Sequence, residues 1–212
     1  MDDALRAGMA VFNAGRHHAA HDAWEDRWLA VKETDRDADE RLLHGLIQFT
    51  AAVHHGDEGN WAGLQGLARS AGEYLDGLAP DERGVNVDAV RAYCAALAAD
   101  PEHVEREPPP ALTHRGTAVG YAELSPSAVA LAAGAVAVHD PGLDEDLVAR
   151  AATAARELAE ETAGTGRSNE FAALLRDLLA DPDHRGTVQR RLRQHVERRA
   201  AELADVDGLF DA

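Results

Sequence analysis

The chain has 212 residues with 38 acidic and 21 basic side chains, so its formal net charge is −17 at pH 7. This length suffices for one large domain or two small ones with apolar cores, without disulfides or structural metals. An acidic surface repels nucleic acid and anionic lipid, so neither is an expected partner. The single cysteine, Cys94, cannot form an intramolecular disulfide and is predicted to lie in the core.

The charge also bears on the solvent in which the protein works. Self-repulsion of this size destabilises a compact chain unless salt shortens the screening distance, to about 3 Å near 1 M. We therefore expect an organism with a salty cytosol. A mesophile with a GC-rich genome is the alternative, and it explains the alanine, arginine and aspartate bias more readily than the net charge. No basic and apolar leader opens the chain, so we expect a cytoplasmic protein.

Helical periodicity runs through the whole sequence and convincing strand-like alternation is missing, so we predict an all-α fold. The longest apolar run, 128–138, is too short to span a bilayer. Asn60, Ser125 and Asp181 stand where they can cap helices. The predicted helices are 3–14, 17–33, 38–55, 60–78, 86–99, 126–139, 144–163, 169–180 and 183–204.

One stretch clearly interrupts the helices. EREPPPALTHRGTAVGY, residues 105–121, contains three consecutive prolines, which exclude helix and favour an extended backbone. We therefore predict an N-terminal bundle of about five helices over 1–104, a proline-rich linker over 105–122, and a C-terminal extension of about four helices over 123–212.

The second predicted helix concentrates aromatic and titratable residues in HHAAHDAWEDRW, residues 17–28. At about 100° per residue, His21, Trp24, Glu25 and Trp28 fall on one side. If the tryptophans mark the buried side, His21 and Glu25 face inward, and a buried carboxylate needs a partner or a proton.

The third predicted helix, RLLHGLIQFTAAVHH at 41–55, supplies candidate partners. If it packs antiparallel to the second helix through the short acidic connection, His54 approaches His21. Arg41 then lies near the opposite end and is the weaker candidate to pair with Glu25. The expected ligand pocket is lined by Trp24, Trp28, Arg41 and Gln48.

These segments resemble a known family, the domain of unknown function 309 (DUF309), whose members are short helical proteins of bacteria and archaea. The resemblance rests on FNAGRHHAAHDAWEDRW, which carries an HxxxExxW motif, then on RLLHGLIQFTAAVHH and GNWAGLQGL, and it covers about the first 80 residues. It implies a helical bundle and no established activity. It singles out His21, Glu25, Trp28, Gly45, His54 and Asn60.

Two positions depart from the family pattern. An aromatic residue is usual where this chain has His17, and glutamate is usual where it has Asp22, so His17 is not expected in a site. The part after about residue 110 resembles only what salt-loving archaeal members carry.

Three interpretations of the titratable residues on the second predicted helix stay open. His21, Glu25 and His54 supply two imidazoles and a carboxylate, which suits a divalent metal with an open coordination position, and His44 or His55 would serve in place of His54. A metal-free pocket would instead use Glu25 as a general base, with His21 or His54 carrying the proton. The third interpretation is a buried hydrogen-bond network without chemistry, in a bundle that serves as a scaffold or forms oligomers.

The last predicted helix contains VQRRLRQHVERRAAEL, residues 188–203, a basic stretch with an apolar stripe in an acidic protein. The stripe calls for a partner helix, and a homo-oligomer formed through this helix is one expected arrangement. Nucleic acid is the less favoured partner because the rest of the surface opposes it.

Overall fold

The structure is a computed structural model that describes residues 1–32, 38–164 and 167–208. It contains two compact units, Met1–Leu124 and Ser125–Ala212. The all-α prediction is confirmed, since helices dominate both units in the described ranges. None of the described helices has the length and apolar character needed to cross a membrane.

The first unit contains the five predicted helices and one further short helix. Residues 33–37, which include the end of the predicted second helix and most of the connection after it, lie outside the described residues. The bounds are α1 (Asp2–Asn13), α2 (His17–Lys32), α3 (Ala38–Asp57), α4 (Trp61–Leu75), α5 (Val87–Ala99) and α6 (His103–Arg106).

Local signals in the sequence account for several of these boundaries. Gly15, with φ of +74°, follows α1 in the left-handed conformation that glycine adopts without strain. The Asn60 side chain accepts a hydrogen bond of 3.1 Å from Gly63 N and caps α4, as predicted. Cys94 on α5 is fully buried, and this burial raises the pKa of its thiol to about 12. The prediction that it belongs to the core is confirmed.

Two glycines allow helices of the first unit to approach closely. A Cβ atom at Gly8 would lie 2.2 Å from the indole of Trp24, and one at Gly45 would lie 2.5 Å from Leu75. Trp24 and Leu75 are both fully buried. Both packing arrangements therefore require glycine on the facing helix.

The proline-rich stretch that we predicted as a linker belongs to the first unit. The Asn13 side chain donates to the carbonyls of Leu112 and Val119 at 2.8 and 2.9 Å and accepts from Leu112 N at 2.7 Å. Leu112 and Val119 are buried. The prolines exclude helix but leave the apolar residues after them free to pack against the bundle.

A short β-ribbon that the sequence analysis did not predict lies in the same stretch. It pairs β1 (Thr113–His114) with β2 (Thr117–Ala118) in antiparallel register. The two turn residues, Arg115 and Gly116, both have positive φ, as a two-residue hairpin turn with the favoured twist requires.

The second unit contains the four predicted helices. Ser125 and Asp144 accept hydrogen bonds from the first turns of their helices, and Pro126 takes the first helical position. Asp181 likewise caps a 3-10 turn at Pro182–His184. The bounds are α7 (Pro126–His139), α8 (Glu145–Glu161), α9 (Glu170–Ala180) and α10 (Arg185–Gly208).

Arginines of α10 form ion pairs with carboxylates of their own unit. Arg185 binds Asp140 at 2.8 Å, and Arg193 binds Asp144 at 2.9 Å. Arg199 bridges two glutamates of α8. The apolar stripe of α10 is buried at Val188, Leu192 and Val196, whereas Leu203 is exposed.

The contact between Gly8 and Trp24 gives a stability prediction. Gly8→Ala overpacks this contact, and we expect it to lower the free energy of unfolding by about 1–3 kcal/mol. Gly66→Ala is the matched control, because a Cβ there would meet no atom of the described residues within 4 Å. It is expected to leave stability unchanged or to raise it by up to about 1 kcal/mol. Urea denaturation measures both, and equal effects would contradict the close packing.

Candidate functional site

The buried side of α2 differs from the one that the tryptophans alone suggested. Its buried residues are Ala19, Ala20, Ala23, Trp24 and Val31. Counted at about 100° per residue from Trp24, the alanines lie to one side, and His21 and Glu25 lie to the other. The alanines let the neighbouring helices come close. They, rather than the second tryptophan, decide which side of α2 faces the core.

His21 and Glu25 therefore lie at the flank of the helix and not at its buried centre. Their ligand atoms form a group with Asp22 in which all atoms lie within 4.8 Å of one another, and none of the three residues is buried. His21 Nδ1 lies 2.9 Å from Asp22 Oδ1. The group joins one imidazole to two carboxylates.

The structure places His54 one helical turn away from His21. Its ring stacks on His18 with centroids 4.7 Å apart, and its Nε2 lies 3.6 Å from Glu58 Oε1. This contact confirms the antiparallel packing of α2 and α3. The group of ligand atoms around His21 and Glu25 includes Asp22 and does not include His54.

Trp24, a predicted pocket residue, belongs to the core. It is fully buried, and its indole N–H donates to the Leu5 carbonyl at 3.1 Å. The indole is thus satisfied within the packing of α1 against α2. It presents no surface to a ligand.

The second tryptophan of α2 lies beside a cleft between α2, α3 and α4. Trp28 Nε1 donates to Glu40 Oε1 at 3.0 Å, and Glu40 is buried on α3. The cleft has a volume of about 510 Å³. Its lining residues are Trp28, Lys32, Glu40, Arg41, His44, Glu73 and Tyr74.

His44 occupies the centre of an aromatic cluster in this cleft. Its ring stacks on Tyr74 with centroids 3.7 Å apart and lies 4.6 Å from the Trp28 ring. Its Nδ1 lies 3.3 Å from Glu40 Oε1. Burial lowers the pKa of His44 below its ordinary 6.5, against the opposite effect of the hydrogen bond to Glu40. The neutral imidazole is therefore the main form at neutral pH.

Charged groups of both signs surround the aromatic cluster. The Lys32 ammonium lies 4.6 Å from the Trp28 ring centroid, a cation–π contact. Arg41 donates to the carbonyl of Asp76, which places its guanidinium at the α4 side of the cleft. Glu73 contributes an exposed carboxylate from α4.

The structure thus separates the predicted site residues. Trp28 and Arg41 line the cleft, while Gln48 lies half-buried one turn beyond His44, outside the set of lining residues. His21 and Glu25 lie in the group with Asp22.

Four cleft residues, Lys32, Glu40, Glu73 and Tyr74, were missed as site members, and His44 was named only as an alternative metal ligand. The i,i+4 spacing of Glu40 and His44 signalled that pair, since such residues are neighbours on a helix. Nothing in the sequence pointed to Tyr74, which reaches the cleft from α4.

The first unit is a helical bundle whose α2–α3 pair carries most of its histidines and two of its tryptophans. Residues 5–67 match the family described as Domain of unknown function (DUF309). Over residues 5–67, this match confirms the resemblance seen in the sequence. The match includes both the His21 group and the Glu40–His44 pair, whereas Tyr74 lies beyond it. No curated protein matches the chain.

The lowered pKa of His44 predicts how stability responds to acid. The unfolded chain takes up this proton near pH 6.5, and the folded protein takes it up only at lower pH. The contribution of this group to stability is therefore complete above about pH 6.5 and decreases as the pH falls below it. We expect urea denaturation at pH 7.5 and 5.5 to show a smaller loss in His44→Gln than in the wild type. Equal losses in the two proteins would contradict this.

Proposed function

We propose that the first unit binds a small organic molecule in the cleft between α2, α3 and α4. The observation that supports this most directly is a cleft of about 510 Å³ lined by three aromatic rings and four charged side chains. Volumes of about 300–1,000 Å³ with a few convergent polar groups are typical of small-molecule sites. A hydrogen-bond network that only stabilised helix packing would not require a cleft of this volume.

The chemistry of the lining indicates what kind of molecule fits. Trp28, His44 and Tyr74 offer flat surfaces against which a planar group can stack. Lys32 and Arg41 offer positive charge, while the Glu40 carboxylate already accepts from Trp28 and His44. A planar molecule with a carboxylate matches this combination.

A binding measurement tests the proposal. Benzoate and indole-3-acetate serve as probes, and each is expected to shift the backbone amide NMR signals of His44 and Tyr74 in a saturable manner, a readout that every variant retains. Trp28→Leu removes a wall of the cleft, and we expect it to weaken binding of both probes at least about tenfold, which is the effect of about 1.4 kcal/mol.

Trp61→Leu is the matched control, since Trp61 is the other partly exposed tryptophan and does not line the cleft. Binding to this variant should equal binding to the wild type. Probes that shift no cleft resonance, or that bind Trp28→Leu unchanged, would favour the alternative of a scaffold or oligomer-forming bundle in which these residues only fix the packing.

A divalent metal at His21, Asp22 and Glu25 is the second candidate function. It is supported by the 4.8 Å limit that encloses one ligand atom of each residue. One imidazole and two carboxylates suit Zn²⁺ or Mn²⁺ and leave coordination positions for water. In this proposal Asp22 replaces His54 as the third ligand. His21 and Glu25, the residues predicted to be catalytic, act through the metal.

Zn²⁺ titration by calorimetry of protein prepared without a histidine tag tests the metal proposal. We expect about one equivalent to bind, and Glu25→Gln to weaken binding at least about tenfold through loss of one charged ligand. Glu58→Gln is the control, because Glu58 is a glutamate beside histidines outside the group. Equal loss in both variants would indicate nonspecific binding and contradict the site.

A further inference from the structure

We infer that His44 is a general base of this cleft, positioned by Glu40, which removes a proton from a planar, weakly acidic molecule bound beside it. The inference rests on the proposed function, because it requires a molecule in the cleft. It adds a reaction class, proton abstraction, and assigns a role to two residues.

The hydrogen bond between Glu40 and His44 fixes the tautomer of the imidazole. A carboxylate only accepts hydrogen bonds, so the His44 Nδ1 that lies 3.3 Å from Glu40 Oε1 carries the ring proton. The lone pair of the neutral ring is then on Nε2. A carboxylate that holds a histidine in one tautomer, so that its other nitrogen accepts a proton, is the arrangement found behind general bases.

The surroundings hold this pair in place. The same oxygen of Glu40 accepts from Trp28 Nε1 at 3.0 Å, which ties the carboxylate to α2. The imidazole lies between the rings of Trp28 and Tyr74, with its plane within 25° of the Tyr74 ring. Contacts on three sides restrict rotation of the His44 side chain. A base with a fixed orientation loses little freedom when a substrate binds.

Charges from all three helices face the base. Lys32 contributes an ammonium from α2, Arg41 lies beside Glu40 on α3, and Glu73 contributes a carboxylate from α4. The Lys32 charge disfavours a proton on His44, and burial does so more strongly. Negative charge that develops on a molecule losing a proton is stabilised by Lys32 and Arg41. The site thus combines a neutral base with cations placed for the resulting anion.

These features define the substrate class. The molecule is flat enough to stack on Tyr74 or Trp28, and it carries a C–H or N–H bond that an electron-withdrawing group makes acidic. When that bond breaks, its electron pair stays on the substrate beside the cations, and the proton moves to His44 Nε2. No oxidant or further reactant is needed.

The base-promoted ring opening of 5-nitrobenzisoxazole provides a direct probe of a positioned base. The base takes the proton from the ring carbon, the electrons of that C–H bond complete a C≡N bond, and the N–O bond breaks to leave a coloured phenolate. We expect the wild-type protein to catalyse this reaction with saturation kinetics. We expect kcat/KM to rise with pH and level off above an apparent pKa below 6.5, as the proton leaves His44.

Variants separate the role of each residue. His44→Gln is expected to lower kcat about 100-fold with a KM close to that of the wild type, because the base is lost and the cleft is kept. Glu40→Gln is expected to lower kcat less and to shift the pH profile, as befits a positioning residue. His55→Gln is the matched control, since His55 is a part-exposed histidine of the same helix away from the cleft. It should leave both constants unchanged.

The outcomes also distinguish this inference from the proposed function. A wild-type rate that saturates with the probe but persists in His44→Gln would overturn the assignment of the base and leave ligand binding intact. A rate that shows no saturation would overturn the inference, and it would overturn the proposed function as well if benzoate and indole-3-acetate also fail to bind. If His44→Gln does not fold, the nitrogen chemical shifts of the wild-type imidazole decide, since a proton on Nε2 at pH 7.5 would contradict the inference.

Discussion

The hydrogen bonds that the Glu40 carboxylate accepts connect α2 with α3 at the candidate site. Glu40 is buried on α3 and accepts from Trp28 on α2 and from His44 one turn further along its own helix. A buried carboxylate without such donors would cost several kcal/mol, so both partners are held to it. The positions of the Trp28 and His44 rings, and through His44 the contact to Tyr74, follow from this requirement. The cleft is the space that these three rings leave between the helices.

The antiparallel packing of α2 and α3 also explains why titratable residues gather at two separate places. At the start of α2, His18 stacks on His54, and the group of His21, Asp22 and Glu25 follows within the next two turns. At the end of α2, Trp28 and Lys32 meet the start of α3. The first place offers oxygen and nitrogen ligands near solvent, which favours a metal ion. The second offers rings and buried polar atoms, which favour an organic molecule.

Several features were predictable from sequence because they depend on neighbours along the chain. Nine helices, the caps at Asn60 and Ser125, and the buried state of Cys94 follow from periodicity, turn chemistry and local apolar pattern, which act within a few residues. Local patterns also identified α2 as a helix rich in aromatic and titratable side chains. The family match over residues 5–67 includes this helix. The packing of the proline-rich stretch through Asn13 could not be predicted from local patterns, since it joins residues about a hundred positions apart.

The sequence alone determined nine of the helices, their first residues to within about two positions, and the helix pair that carries the candidate site. Only the tertiary structure decided which flank of α2 is buried, because that depends on how closely Ala20 and Ala23 let the neighbouring helices approach. Alanine is less hydrophobic than tryptophan and therefore contributes less to a predicted apolar face. The packing of these alanines nevertheless leaves His21 and Glu25 at the edge of the buried face. The tertiary structure also brought Tyr74 from α4 to His44. A contact between two helices depends on the shapes of both of their surfaces. The residue pattern of one helix describes only the surface of that helix.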